Sequence, residues 1–232
     1  MVLADGSFAV ASADENIAFM TVPPGPPFPE HLHFTKMCGI VWCYPGSMEQ
    51  ANALLDPLRA YKPPAFEFFV PMPFPMLQGM FDGLYPTGLQ WYWKADFFKE
   101  LGDEAIDLHV KHGALLPTLH SSMHLYPVNG AAHKVSNSDT PWSYRDAVWS
   151  EVIVGVDPDP ANKGKITEWA KAYFDELHPH GAGGAYVNFM MEEGEDRIRA
   201  TYRGNYDRLA AVKAKYDPGN FFRVNQNIKP AV

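Results

Sequence analysis

Residues 22–29 (VPPGPPFP) hold five prolines in eight positions, and no other stretch limits the fold of this chain as strongly. Each proline fixes φ and removes a backbone donor, so the segment forms neither a helix nor an inner strand. It is a linker or a strap laid over a surface. The whole chain has 21 prolines, nearly twice the usual ~5%, and most fall between residues 23 and 86. That part is expected to be extended and turn-rich.

The remainder reads as ordinary globular sequence. With 232 residues, 47% apolar and 20% charged, the chain can bury a large core in one generous domain or two small ones. No apolar stretch approaches the ~20 residues that span a bilayer. A net charge of −8 without basic clusters gives no electrostatic reason to bind nucleic acid or anionic lipid. The first sixteen residues carry Asp5, Asp14 and Glu15 where an export signal carries Lys or Arg. Cys38 and Cys43 are too far apart along one strand to bridge. A cytoplasmic location is expected from both.

Alternation and capping place the elements. Residues 4–13 read as an Asp-Gly turn and a strand, and residues 36–44 as a strand running into a Pro-Gly turn. Ser47 caps a helix to about Tyr61 with Met48, Ala51, Leu54, Leu55 and Leu58 on one stripe. Strands are expected at 66–71, 89–97, 120–128, 147–156 and 184–191. Short or long helices are expected at 72–81, from Asp103, at 163–177 and at 195–215, the last broken at Gly204-Asn205. Some strand pairs are linked by helices and others by short connections. The fold class that follows is α+β, a large antiparallel sheet covered by helices on one face.

Nine histidines raise the question of a metal. His120 and His124 are ~13 Å apart at strand rise, too far for one ion. His109 and His112 share a helix face, but no third ligand is placed beside them. Surface or capping histidines are the expected reading, and no metal site is assigned. The glycine-rich residues 180–186 (HGAGGAY) lead from helix to strand, the reverse of a dinucleotide fingerprint. In the aromatic strand LQWYWKADF, Trp91 and Trp93 share one face while Tyr92 and Lys94 share the other. One face packs on helices and the other is a ligand floor, a domain contact or solvent-facing. Glu151 lies mid-strand with Trp149 and Ile153, either solvent-facing, which is favoured, or a site group. In the tail YDPGNFFRVNQNI, a turn is followed by Phe221 and Phe222 as anchors and then by three amides.

Three segments together, GAYVNF (184–189), EDRIRATYRGNYDRLAAVKAKYDP (195–218) and NFFRVNQNI (220–228), resemble the C-terminal berberine-bridge-enzyme-like region of FAD-linked oxidases of the vanillyl-alcohol-oxidase type. The resemblance extends over residues 17–228. It divides the chain into a remnant of an FAD-binding domain (1–16) and a substrate domain (17–232). It implies oxidation of an alcohol, sugar or amine carbon by hydride transfer to flavin, with oxygen as final acceptor. The main FAD-binding domain of the family has no counterpart here, so FAD binding by this chain alone is not expected. By resemblance, Tyr186 and Glu151 are the catalytic candidates, and Asn188, Asn225 and Asn227 the cofactor-binding ones. Trp91, Trp93, Lys94 and His124 are candidate pocket residues. The partners implied are a small-molecule substrate and a flavin domain or a second copy meeting the exposed sheet face. The alternative is a relic or small-molecule-binding, dimerising module without flavin.

Overall fold

The computed structural model describes residues 15–84 and 86–232. The strand expected at 4–13 lies outside them. Five strands form one antiparallel sheet: β1 (Glu15–Thr21), β2 (Lys36–Trp42), β3 (Gln90–Phe98), β4 (Ser122–Pro127) and β5 (Trp149–Asp157). Their order is β2-β1-β4-β5-β3, with every neighbouring pair antiparallel. The sheet therefore matches the α+β expectation.

Two helices cover one face, α3 (Asp103–Ala114) and α4 (Lys163–Leu177). They follow α1 (Met48–Tyr61) and the short α2 (Phe74–Gly79) in the chain, and α5 (Glu195–Tyr202) and α6 (Tyr206–Tyr216) come after. Period-two alternation sends Ile17, Phe19, Met123, Leu125, Ile153 and Phe98 toward α3 and α4. There they meet Ile106, Trp169, Ala170, Tyr173 and Phe174. All nine residues of β5 are buried, which is why it reads as a near-continuous apolar run. Gly155 lets α4 approach this closely, since a Cβ there would stand 2.7 Å from the backbone oxygen of Ile166.

Local capping agrees with the sequence at α1. Ser47 Oγ accepts from the Gln50 amide at 3.2 Å, and Gln50 Oε1 accepts from the Ser47 amide at 3.1 Å. The break between α5 and α6 also falls as expected, at Arg203–Asn205. The expected strand at 66–71 is instead irregular chain bounded by Pro63-Pro64 before it and Pro71 and Pro73 at its end, which favour extended, unpaired backbone. The prolines at 22–29 form a turn whose Gly25 amide donates to His33 Nε2 at 3.2 Å. Among the described residues no helix is long and apolar enough to cross a membrane.

The expected strand at 184–191 is an extended arm with one helical turn, Val187–Phe189. Only its start joins β3, through Phe97 N–H to Gly184 O and Ala182 N–H to Phe97 O. Phe221 and Phe222 are not anchors: they are 80% and 74% exposed and meet each other edge-on at 5.1 Å. What holds that turn is Asp217, whose carboxylate accepts from both phenylalanine amides at 2.7 and 3.0 Å.

Candidate functional site

The face of the sheet turned away from α3 and α4 carries Trp91 and Trp93 from β3, Val152, Val154 and Val156 from β5, and His124 and Tyr126 from β4. Phe189, from the turn at 187–189, joins this cluster. The rings run on from one to the next. Trp91 and Trp93 lie 5.9 Å apart, His124 and Tyr126 6.0 Å, Tyr126 and Phe189 5.5 Å, and Phe189 and Tyr186 5.1 Å. Tyr186 ends the series with 38% of its surface exposed. Asn188 Nδ2 donates to the Tyr186 hydroxyl oxygen at 2.8 Å, so the pair stays together although it sits on a turn rather than a strand. A phenol whose oxygen already accepts one bond keeps its O–H for a second partner.

His124 Nε2 lies 2.9 Å from Ser122 Oγ, and burial pulls its pKa down to about 4. The ring is neutral near pH 7 and serves this face as a hydrogen-bonding group rather than a charge. Next to it on β5 the same face presents Ser150, Val152, Val154 and Val156. None of these side chains titrates near neutrality.

Glu151 and Lys94 are on the other face. Alternation puts Lys94, Asp96, Glu151 and Ile153 on the helix-covered side, opposite to Trp91, Trp93 and Val152. Lys94 Nζ pairs with Glu193 at 2.7 Å and lies over the Phe174 ring, so it is part of the clamp at the sheet edge and not of the aromatic floor. Glu151 is fully buried, which overturns the solvent-facing reading, and it is separated from Tyr186 by the sheet. Its Oε1 lies 3.6 Å from His109 Nδ1, and that nitrogen is 2.6 Å from the Tyr173 hydroxyl. Burial first, and then Asp96, pushes the Glu151 carboxyl well above the usual range. Burial and then His112 hold His109 down at about 3. The group is a set of neutral polar side chains inside the core.

His109 and His112 are accordingly core residues and not surface ones, with His112 stacked on Tyr173 at 4.5 Å. The helical spacing of Ala105, Ile106, His109 and Gly113 carried this signal. Among the described residues no cluster of His, Cys, Asp and Glu is arranged to hold a metal.

The tail amides divide in an unexpected way. Asn225 is exposed and takes a left-handed φ of 59°. Asn227 closes a tight turn by donating its amide to Asn225 O at 2.8 Å, and its Oδ1 is buried without a hydrogen-bond donor. Gln226, between them, reaches the turn that bears Asn188, with Nε2 donating to Met190 O at 2.6 Å. Sequence reasoning named Gln226 among three tail amides that bond something fixed but not as a site residue, and it passed over Tyr126 and Phe189. Of the latter two, only Tyr126 left a signal, being two residues from His124 on one strand.

Comparison with known proteins agrees with this architecture. Residues 185–229 match the family described as berberine and berberine like. An FAD-linked oxidoreductase of Dictyostelium discoideum is 26% identical over 81% of this chain and 41% of its own length. An uncharacterized FAD-linked oxidoreductase of Bacillus subtilis, YgaK, is 32% identical over 57% of this chain and 29% of its own. A solved berberine bridge enzyme variant superposes with a TM-score of 0.72 at 16% identity, over 94% of this chain and 49% of that one. The chain thus spans half or less of the length of these relatives. Over that span it is similar to berberine bridge enzyme-like FAD-linked oxidoreductases, and residues 185–229 carry the match to the family.

Proposed function

We propose that this chain is the substrate-side domain of an FAD-dependent oxidoreductase that oxidises an alcohol, sugar or amine carbon, acting together with a flavin-binding domain in the same protein or in trans. The observation that carries this reading is the Tyr186–Asn188 hydrogen bond at the end of an aromatic floor on the face of the sheet turned away from α3 and α4. With its own proton first lost to solvent, Tyr186 would act as a phenolate that takes the substrate's hydroxyl or amine proton, its oxygen held by the Asn188 Nδ2 donor. Trp91, Trp93 and Tyr126 would stack against a flat substrate and keep water from it. His124, neutral, would hydrogen-bond a substrate polar group.

Bound FAD would supply the hydride acceptor. The residues fit its ring-facing side: an exposed phenol, the Asn188 and Asn225 amides, and the buried Asn227 Oδ1 that lacks a donor. Among the described residues no glycine-rich loop leads from a strand into a helix N-terminus, so the pyrophosphate would be held by the partner domain. The exposed Phe221, Phe222 and Val224 suit that contact.

A second reading, a small-molecule-binding or dimerising module without flavin, is favoured by the β5 residues of this face, which offer Ser150 and valines and no acid or base. Mixing the chain with FAD, with and without the flavin domain of a relative, and recording visible spectrum and turnover separates the two. A flavin-containing complex in which Tyr186→Phe cuts turnover 10²-fold or more bears out the enzyme. Failure of every combination to retain flavin leaves the binding module.

A further inference from the structure

The arm that carries Tyr186 and Asn188 leaves the sheet after Gly184, and beyond that point no ladder supports it. Two side chains from elsewhere take up its carbonyl groups. At its entry, the Arg197 guanidinium donates to Gly183 O at 2.7 Å and to Ala95 O at 2.5 Å. At its exit, Gln226 Nε2 donates to Met190 O at 2.6 Å and lies 3.4 Å from Val187 O. One carbonyl belongs to the first residue of the helical turn Val187–Phe189 and the other to the residue after it, and the turn's own Phe189 N–H to Tyr186 O bond of 2.8 Å lies between them.

Gln226 is well placed for this because the tail on both sides of it is secured. Before it, the Asp217 carboxylate holds the turn at Phe221 and Phe222, and Lys213 pairs with Asp217 at 2.5 Å. After it, Lys229 pairs with Glu195, and the Ala231 amide donates to Ala210 O at 3.0 Å. The left-handed Asn225 reverses the chain between these supports. A carboxamide on such a base has little freedom to lose when it binds two carbonyls of a neighbouring turn.

The geometry points to Gln226 as the positioning residue of the Tyr186–Asn188 pair, holding the outer carbonyls of the 187–189 turn so that Asn188 Nδ2 stays within reach of the Tyr186 oxygen. The inference rests on the reading of Tyr186 as a site residue. A side chain donated by a distant part of the chain thereby fixes the site's geometry.

The test uses the isotope-labelled chain by itself and two-dimensional NMR. The Asn188 side-chain amide is assigned by its loss in Asn188→Ala, and the Tyr186 ring by its loss in Tyr186→Phe. Gln226→Met keeps the length of the side chain and removes both donors, while Gln226→Lys keeps an N–H donor at similar reach. The wild type is expected to show cross-relaxation between the Asn188 amide and the Tyr186 ring. Gln226→Met is expected to lose it and to move the Asn188 amide to the shift of a solvated amide, and Gln226→Lys to restore it. A contact that persists in Gln226→Met overturns the inference, as does one lost equally in both variants. These outcomes do not depend on turnover. If Tyr186→Phe leaves catalysis intact, the reading of the site fails while the positioning result stands.

Discussion

Asp96 and Glu151 face each other directly across the antiparallel pair β3–β5, both buried on the helix-covered side of the sheet. Two carboxyls in that position cannot both ionise cheaply, and they divide the task. Asp96 takes the partners that reach this point, His178 Nδ1 at 2.5 Å and the Arg197 guanidinium at 3.8 Å. Glu151 lies beside the neutral His109, so it is the carboxyl that stays protonated.

The stability of the protein should therefore have opposite pH slopes at its two ends. The raised folded pKa of Glu151 makes its contribution complete below the unfolded value of 4.5 and lost as pH rises through the folded value. His109 is depressed from 6.5 to about 3, so its contribution is present above 6.5 and lost as pH falls toward 3. From pH 4.5 to 6.5 the two slopes oppose each other. Glu151→Gln should raise the melting temperature, relative to wild type, more at pH 8 than at pH 4.5. An equal shift at both pH values would contradict a protonated Glu151. Circular dichroism melts across the range make the comparison.

Lys94 should prove structural. Its partner Glu193 is 7% exposed, and Arg197 Nε stands 3.8 Å from the same oxygen. Lys94→Met is expected to cost about 3 kcal/mol, the lower end for breaking a buried pair, because Arg197 still screens Glu193. Lys94→Met with Glu193→Leu should recover most of that in urea unfolding. A Lys94→Met variant with unchanged stability would return Lys94 to the list of ligand-binding residues.

The contact between α4 and β5 tolerates no side chain at Gly155. Gly155→Ala places a methyl carbon 2.7 Å from a backbone oxygen that belongs to a regular helix and cannot swing away. Overpacking of about 1–3 kcal/mol should appear in urea unfolding. Gly219→Ala, where nothing lies within 4 Å, is the matched control.

Phe221 and Phe222 should matter for association and not for folding. Exposed side chains away from special backbone features change stability by about 0.5 kcal/mol or less. The double variant Phe221→Ser with Phe222→Ser is expected to melt with the wild type and to show weaker self-association, or weaker binding of a flavin domain, in sedimentation velocity. A melting temperature lowered by many degrees would restore them as anchors.

Much of the architecture was legible in residue order because the signals are local. The Ser47–Gln50 capping box, the aliphatic β5 and the Gly204-Asn205 break each act within a few residues, so the elements fall where they read. The Tyr186–Asn188 pairing was also legible, two residues apart, although the turn that joins them was not. The anchoring role of Phe221 and Phe222 was misread because apolar character by itself does not place a side chain inside.

The sequence by itself determined the α+β class, the separation of Trp91 and Trp93 from Tyr92 and Lys94, and the family resemblance of residues 184–228. Each follows from spacing or from a contiguous motif. Which face of the sheet the helices cover was decided only in three dimensions, and with it the fate of Glu151 and Lys94. Alternation assigns side chains to two faces but does not say which face is buried; that depends on where α3 and α4 return. Gln226 is the same case: its partners lie 36 and 39 residues away, and long-range hydrogen bonds to backbone carbonyls leave no trace in local order.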